Sequence, residues 1–188
     1  MIVRCTRKAL ALLKVSARAL ANPPPSDDDW YMNLVWLDRR KCLLLTHAGT
    51  LFPVFVADVR AADLRPPGSY IVGIIKAELA SEGLSPDTLG QLDADAVQIA
   101  KTASRSVLGF MNEMAFYLDY AVADAGGLSS CDSNALNRHL RRRLHSRDGY
   151  ATPLELVARR LSQLLRRSRR RSLPRSRPLR RPRQLRRQ

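Results

Sequence analysis

The sequence predicts an α+β fold: one small domain with a mostly antiparallel sheet packed against about four helices. Apolar runs of strand length occur before, between and after segments with helical periodicity, and turn-forming residues separate them. The chain has 188 residues, which is enough for one hydrophobic core. Its 45% hydrophobic and 26% charged residues are close to the averages of globular proteins. This composition excludes a wholly disordered chain and a disulfide scaffold.

Five short apolar runs predict the strands. Two of them flank residues 38–41, so we expect a β-hairpin around a short charged turn. Pro53 cannot donate a hydrogen bond to a neighbouring strand, so its strand should lie at a sheet edge or contain a bulge. The predicted strands are 1–5, 30–37, 42–46, 51–56 and 96–100.

The helices are predicted from capping residues and from a period of 3.6 residues. The strongest signal predicts a long amphipathic helix over 106–124, with Met111, Met114 and Leu118 in the core. Thr152 and Glu155 form a capping box around Pro153, which predicts the start of the last helix. The other predicted helices cover 7–14, 66–83 and 133–140.

Positive charge is concentrated at the C-terminus. Residues 1–137 contain 13 Lys and Arg against 15 Asp and Glu, whereas residues 138–188 contain 19 against 2. From Arg166 onward, 12 of 23 residues are Arg, none is acidic and three are proline. We therefore predict a domain over 1–165 and a disordered arginine-rich tail over 166–188. The tail is interpreted either as a nucleic-acid-binding segment or as an incidental C-terminal extension.

The three cysteines, Cys5, Cys42 and Cys131, have no spacing typical of a zinc or redox site. We expect Cys5 and Cys42 to be buried and reduced, as in a cytoplasmic protein. Cys42 and His47 are five residues apart, which places them on opposite faces of an extended strand. The sequence also has no apolar run long enough for a signal peptide or a membrane span.

Five stretches together resemble an uncharacterised bacterial family, a domain of unknown function. They are IVRCTRK at 2–8, DRRKCLLLT at 38–46, TLF at 50–52, AKTASRSVLGFMN at 100–112 and LNR at 136–138. The resemblance covers residues 1 to about 160 and leaves out the arginine tail. It implies a single α+β domain, and it implies no activity, cofactor or catalytic residue.

Six residues are candidates for contact with a ligand or partner: Arg39, Arg40, Lys41, Lys101, Arg105 and Asn112. The first three lie at the predicted hairpin tip, and Arg105 lies at the start of the predicted long helix. An arginine beside free helix N–H groups can bind a phosphate or carboxylate. The alternative is that these residues form turn and surface ion pairs, which contribute little. Asn112 and Asp119 either line a cleft or belong to a solvated helix face.

The leading functional hypothesis is a non-enzymatic binding or regulatory domain. The sequence has no phosphate-binding glycine motif, no paired histidines at metal-ligand spacing and no recognisable catalytic set, so no cofactor or metal is predicted. The alternatives are an enzyme of unknown reaction, with a polar site near Arg39, Lys101, Arg105 and Asn112, and non-specific nucleic-acid binding through the tail. The expected partner is a protein or a small anionic ligand, and not a membrane.

Overall fold

The computed structural model describes residues 1–146 and 149–172. They form a five-stranded sheet with helices on both faces, which confirms the α+β fold. The strands are β1 (Ile2–Cys5), β2 (Trp30–Leu37), β3 (Arg40–His47), β4 (Pro53–Val56) and β5 (Gln98–Lys101). The helices are α1 (Arg7–Leu13), α2 (Pro67–Ser81), α3 (Arg105–Asp124), α4 (Ser133–Arg141) and α5 (Pro153–Ser172).

The sheet is mixed, with the strand order β4-β3-β2-β1-β5. The pair β2/β3 is antiparallel, as expected from the predicted hairpin, and β3/β4 is antiparallel as well. The expected mostly antiparallel sheet with about four helices is thus a mixed sheet with five helices. The pairs β1/β2 and β1/β5 are parallel. Parallel neighbours require a crossover connection, and helix α1 lies in the connection between β1 and β2.

The β2–β3 hairpin turns on two residues, Asp38 and Arg39, whose φ angles are 48° and 59°. Both positive angles are typical of the tight turns that match the strand twist. The turn therefore has two residues where the sequence predicted four, and β3 begins at Arg40. Strand β4 is an edge strand that begins at Pro53, which confirms the expectation for that proline.

Strand β3 is buried on both faces and separates two hydrophobic clusters. Leu43 and Leu45 pack on the face covered by α1 and α2, whereas Cys42 and Leu44 pack beneath α3. Such double burial explains the continuous apolar run that the sequence shows here. His47 has the same parity as Leu43, so Cys42 and His47 lie on opposite faces, as predicted.

The helices begin where their capping residues predict. Thr6 accepts from the N–H of Ala9, and Thr152 and Glu155 exchange the two hydrogen bonds of a capping box. The buried positions of α3 include Met111, Met114 and Leu118, as predicted.

Helix α5 continues to Ser172, beyond the predicted start of the tail at Arg166. Arginine is a good helix former, and the first proline of the tail is Pro174, which explains the longer helix. The rest of the predicted tail, 173–188, lies outside the described residues. Among the helices that the structure describes, none is long and apolar enough to cross a membrane.

Candidate functional site

A cleft of about 540 Å³ opens between the start of α3 and the segment that precedes β2. Its lining includes the buried residues Tyr31 and Ala48. Its volume falls in the range of small-molecule sites, roughly 300–1,000 Å³. The remaining lining residues are Pro25, Ser26 and Asp27 on one wall, and Ala103, Ser104, Arg105 and Val107 on the other.

The wall before β2 is fixed by backbone hydrogen bonds to the end of β3. The N–H of Ala48 donates to the carbonyl of Asp29 over 2.8 Å, and that of Gly49 donates to the carbonyl of Asp27 over 2.9 Å. A Cβ atom on residue 49 would lie 2.8 Å from the Asp27 carbonyl oxygen. Glycine is therefore required where the two segments approach each other.

The buried guanidinium of Arg4 connects the wall before β2 with the wall at the start of α3. Nε of Arg4 donates to Asp29 over 2.5 Å, and its two terminal nitrogens donate to the carbonyls of Lys101, Pro23 and Pro24 over 2.9–3.1 Å. Lys101 ends β5, just before α3. Arg4 is wholly buried and therefore acts as a positioning residue that holds both walls at a set distance.

The opposite wall is the N-terminus of α3. The Ser104 hydroxyl caps the helix by accepting from the N–H of Val107 over 3.3 Å. Within the described residues, the backbone N–H groups of Arg105 and Ser106 have no acceptor. These N–H groups carry the positive end of the helix dipole, and the exposed Arg105 side chain adds a full charge.

Tyr31 adds a phenol hydroxyl to the lining of the cleft. The residue is only 1% exposed, but its hydroxyl is not one of the buried polar atoms that lack a partner. The hydroxyl makes no hydrogen bond to any residue that the structure describes, so it meets the solvent of the cleft. A tyrosine hydroxyl that faces solvent at the end of a buried ring is available to a ligand. Tyr31 was not predicted from the sequence because it lies in the apolar strand β2, where a tyrosine is indistinguishable from a core aromatic.

The six predicted contact residues are divided between two places. Arg105 lines the cleft, and Lys101 is exposed four residues before it. Asn112 is exposed about two turns further along α3. The hairpin tip lies at the other end of β2, about 20 Å along the strand from Tyr31. The structure therefore does not bring Arg39, Arg40 and Lys41 together with Arg105.

The hairpin residues Arg39, Arg40 and Lys41 lie at the protein surface. Arg40 pairs with Asp58 over 3.2 Å, and both side chains are exposed. The ammonium of Lys41 lies 5.6 Å from the centre of the Trp36 ring. Arg39 is exposed in the turn itself. These contacts agree with the alternative of turn and surface ion pairs, which stabilise a fold only slightly.

Burial holds the side chains of Cys5, Cys42 and His47 in their neutral forms. Burial raises the pKa of the Cys5 thiol to about 12 and also raises that of Cys42. Burial, together with the nearby Arg160, lowers the pKa of His47 to about 3. Because the thiolate is the nucleophile and metal ligand, neither thiol is prepared for such chemistry. Among the described residues, no three His, Cys, Asp or Glu side chains are placed to hold a metal ion.

Comparison with known proteins agrees with the resemblance seen in the sequence. The model of a family described as a domain of unknown function, DUF6933, matches residues 2–156. This match includes every strand, both walls of the cleft and the first turn of α5. A search of curated proteins gave no match. Since the family model covers most of the chain, the protein belongs to the DUF6933 family of domains of unknown function.

Proposed function

We propose that the domain is a non-enzymatic binding module for a small molecule that carries a carboxylate or phosphate group, held at the start of α3. The observation that carries this proposal is that the Tyr31 hydroxyl, which has no hydrogen-bond partner among the described residues, lies in the same cleft as two free N–H groups and Arg105. Helix N-termini and arginine side chains together are well suited to bind such anions.

The wall before β2 limits which chemical groups the rest of the ligand can carry. Asp27 is exposed and lines the cleft across from Arg105. A second anionic group on the ligand would be repelled by its carboxylate, whereas a hydrogen-bond donor or a cationic group would be attracted. The proposed ligand therefore carries an anionic group at one end and a donor at the other.

Among the described residues that line the cleft there is no histidine, cysteine or lysine, which favours binding over catalysis. The proposed location is the cytoplasm, which is supported by the free thiols of Cys5, Cys42 and Cys131.

Nuclear magnetic resonance with inorganic phosphate and with glycine as minimal probes tests the proposal. We expect saturable shifts of the Arg105 and Ser106 amide signals, because these N–H groups would donate to the bound anion. Tyr31→Phe and Arg105→Gln should each weaken binding about tenfold, the equivalent of one charge-assisted hydrogen bond of about 1.4 kcal/mol.

Arg39→Gln is the matched control, since it removes the same charge from an exposed position outside the cleft. It should leave the affinity unchanged. Shifts that spread over all basic surface residues, or that persist unchanged in Tyr31→Phe and Arg105→Gln, would contradict an anion site in this cleft.

A further inference from the structure

Trp36 is an exposed indole near the end of β2. The residue is 54% exposed, and strand alternation places its side chain on the same face as Met32 and Leu34, which pack with α1. Helix α1 begins next to Asn33, because the Thr6 hydroxyl that caps the helix donates to the Asn33 Oδ1 over 2.8 Å. Since β1 and β2 are parallel, α1 then returns towards the start of β2. The helix therefore leaves Trp36, about 10 Å further along the strand, uncovered.

Four cationic side chains lie at this end of the same sheet face. Lys41 is opposite Trp36 in the β2/β3 register, and its ammonium lies 5.6 Å from the centre of the indole. Arg7 and Lys8 form the exposed start of α1. Lys101 ends β5, two strands away from β2, and regular strand spacings place its backbone roughly 16 Å from that of Trp36. None of these four cations forms an ion pair with a residue that the structure describes.

The carboxylates that are close in sequence do not neutralise these cations. Residues 1–26 contain five Lys and Arg and no acidic residue. Asp38, in the hairpin turn, is directed to the other face of the sheet, where its carboxylate accepts from the N–H of Leu128 over 3.1 Å. Asp58, which follows β4, is paired with Arg40. The surface around the indole is therefore positively charged and complementary to a polyanion.

We propose that this surface binds single-stranded nucleic acid. Trp36 stacks on a base, and the cations on both sides of it contact the neighbouring phosphates. An aromatic ring for stacking and a row of cations along the backbone are the two features that sequence-independent binding of single strands requires. The Trp36 surface consists of the indole and its four cations, Arg7, Lys8, Lys41 and Lys101. It is separate from the cleft at the start of α3 and does not depend on the ligand proposed there.

Three other anionic partners fit the Trp36 surface less well. In a duplex the bases stack on one another, so an indole at the protein surface has no free base to contact. An acidic peptide would pair with the cations and leave the indole without a partner. A membrane surface requires a broad apolar face on the protein. Among the described residues 1–115, Trp36 is the only large apolar residue that is exposed.

Intrinsic fluorescence of the full chain tests whether a base stacks on Trp36. The chain has two tryptophans and Trp30 is wholly buried, so a bound base quenches the emission of Trp36. The probe is an oligothymidylate of about 15 nucleotides, within the range of site sizes of single-strand-binding domains. Inorganic polyphosphate of the same charge is the control, since it binds cations but has no bases. We expect saturable quenching by the oligonucleotide alone, and equal quenching by both polymers or none by the oligonucleotide would overturn the proposal.

Two further probes distinguish the other partners. Phosphatidylserine vesicles and a polyglutamate peptide carry negative charge without nucleobases, so neither should quench Trp36. Stronger quenching by either of them than by the oligonucleotide, at equal charge, would also overturn the proposal.

Substitution of the indole separates stacking from charge. Trp36→Leu removes the ring and keeps an apolar side chain. It should weaken the binding of a labelled oligothymidylate about fivefold or more, the equivalent of at least about 1 kcal/mol of base stacking. Trp36→Tyr keeps an aromatic ring and should retain most of the affinity. Fluorescence anisotropy measures both variants, and equal affinities of Trp36→Leu and the wild type would show that the indole does not contact a base.

The salt dependence of binding tests the cations. Arg7→Gln together with Lys101→Gln removes two charges from the Trp36 surface. Lys76→Gln together with Arg138→Gln is the matched control, since it removes two exposed charges from α2 and α4. The loss of two phosphate contacts lowers the slope of log affinity against log salt by about 1.4 on a single strand. We expect this change in the first variant and not in the control, and equal slopes in the two variants would show that the phosphates are bound elsewhere on the chain.

Discussion

The side chain of Asn137 forms two hydrogen bonds with the backbone of Phe55. Its Oδ1 accepts from the Phe55 N–H over 2.7 Å, and its Nδ2 donates to the Phe55 carbonyl over 2.8 Å. Phe55 lies on the edge strand β4, whose outer backbone groups would otherwise be unpaired. The amide therefore replaces a sixth strand, and helix α4 closes the sheet edge.

Replacing Asn137 with Ala should lower the free energy of unfolding by at least about 2 kcal/mol. The substitution leaves two buried backbone groups without partners, and each costs about 1–3 kcal/mol. Urea denaturation measures the change. Asn134→Ala is the control, because Asn134 is exposed on the same helix and should shift stability by no more than about 0.5 kcal/mol. Equal effects of the two substitutions would contradict the role assigned to Asn137.

Helix α3 offers a neighbouring pair for a packing test. Leu118 is wholly buried, whereas Asp119 is exposed. Leu118→Ala should cost about 2–5 kcal/mol of stability by creating a cavity. Asp119→Ala should change stability by about 0.5 kcal/mol or less. Thermal denaturation of both variants checks the prediction, and two equally mild changes would show that this face of α3 is not packed.

The features predicted correctly are those encoded by neighbouring residues. The stripe of α3, the capping box at Thr152 and the edge position of Pro53 each depend on a short window of sequence. A period of 3.6 residues identifies which face of a helix is buried, and a proline limits where its strand can pair.

The features that were missed depend on partners far away in the chain. Arg4 has no local signal that distinguishes it from a surface arginine, and its partners Asp29 and Lys101 lie 25 and 97 residues away. The parallel pairing of β1 with β5 likewise joins two strands that are far apart in sequence, so no short window of residues indicates it. The cleft is lined by segments that are far apart in the chain. Of its lining residues, only Arg105, which lies at a predicted helix start, could therefore be named from the sequence as a contact residue.

The three thiols should differ in reactivity. Cys5 and Cys42 are buried and burial raises the pKa of each, whereas Cys131 is partly exposed. An aromatic disulfide reagent at pH 8 should therefore label about one thiol per folded chain and three in guanidinium chloride. Cys131→Ser should abolish the labelling of the folded protein. Rapid labelling of all three thiols without denaturant would contradict the described burial.

His47 should make stability depend on pH. Its pKa is about 3 in the folded protein, compared with 6.5 for an ordinary histidine. Between these values the unfolded chain binds a proton that the folded chain excludes. The free energy of unfolding should therefore fall as the pH is lowered from 6.5 towards 3, by up to about 1.4 kcal/mol per pH unit from this residue.

Urea titrations between pH 4 and 7 measure this contribution. His47→Gln removes the titrating group and should flatten the pH dependence by one proton. An identical slope in wild type and His47→Gln would show that His47 is not the group excluded from protonation.

The buried pair of Arg4 and Asp29 should be strongly coupled, in contrast to the exposed pair of Arg40 and Asp58. Removing one partner leaves a buried charge uncompensated, so Arg4→Met or Asp29→Ala should each cost about 3–5 kcal/mol. The double variant should cost much less than the sum, because neither charge is then left alone. The same cycle on Arg40 and Asp58 should give a coupling energy below about 1 kcal/mol. Additive costs at Arg4 and Asp29 would show that this ion pair does not hold the two walls of the cleft together.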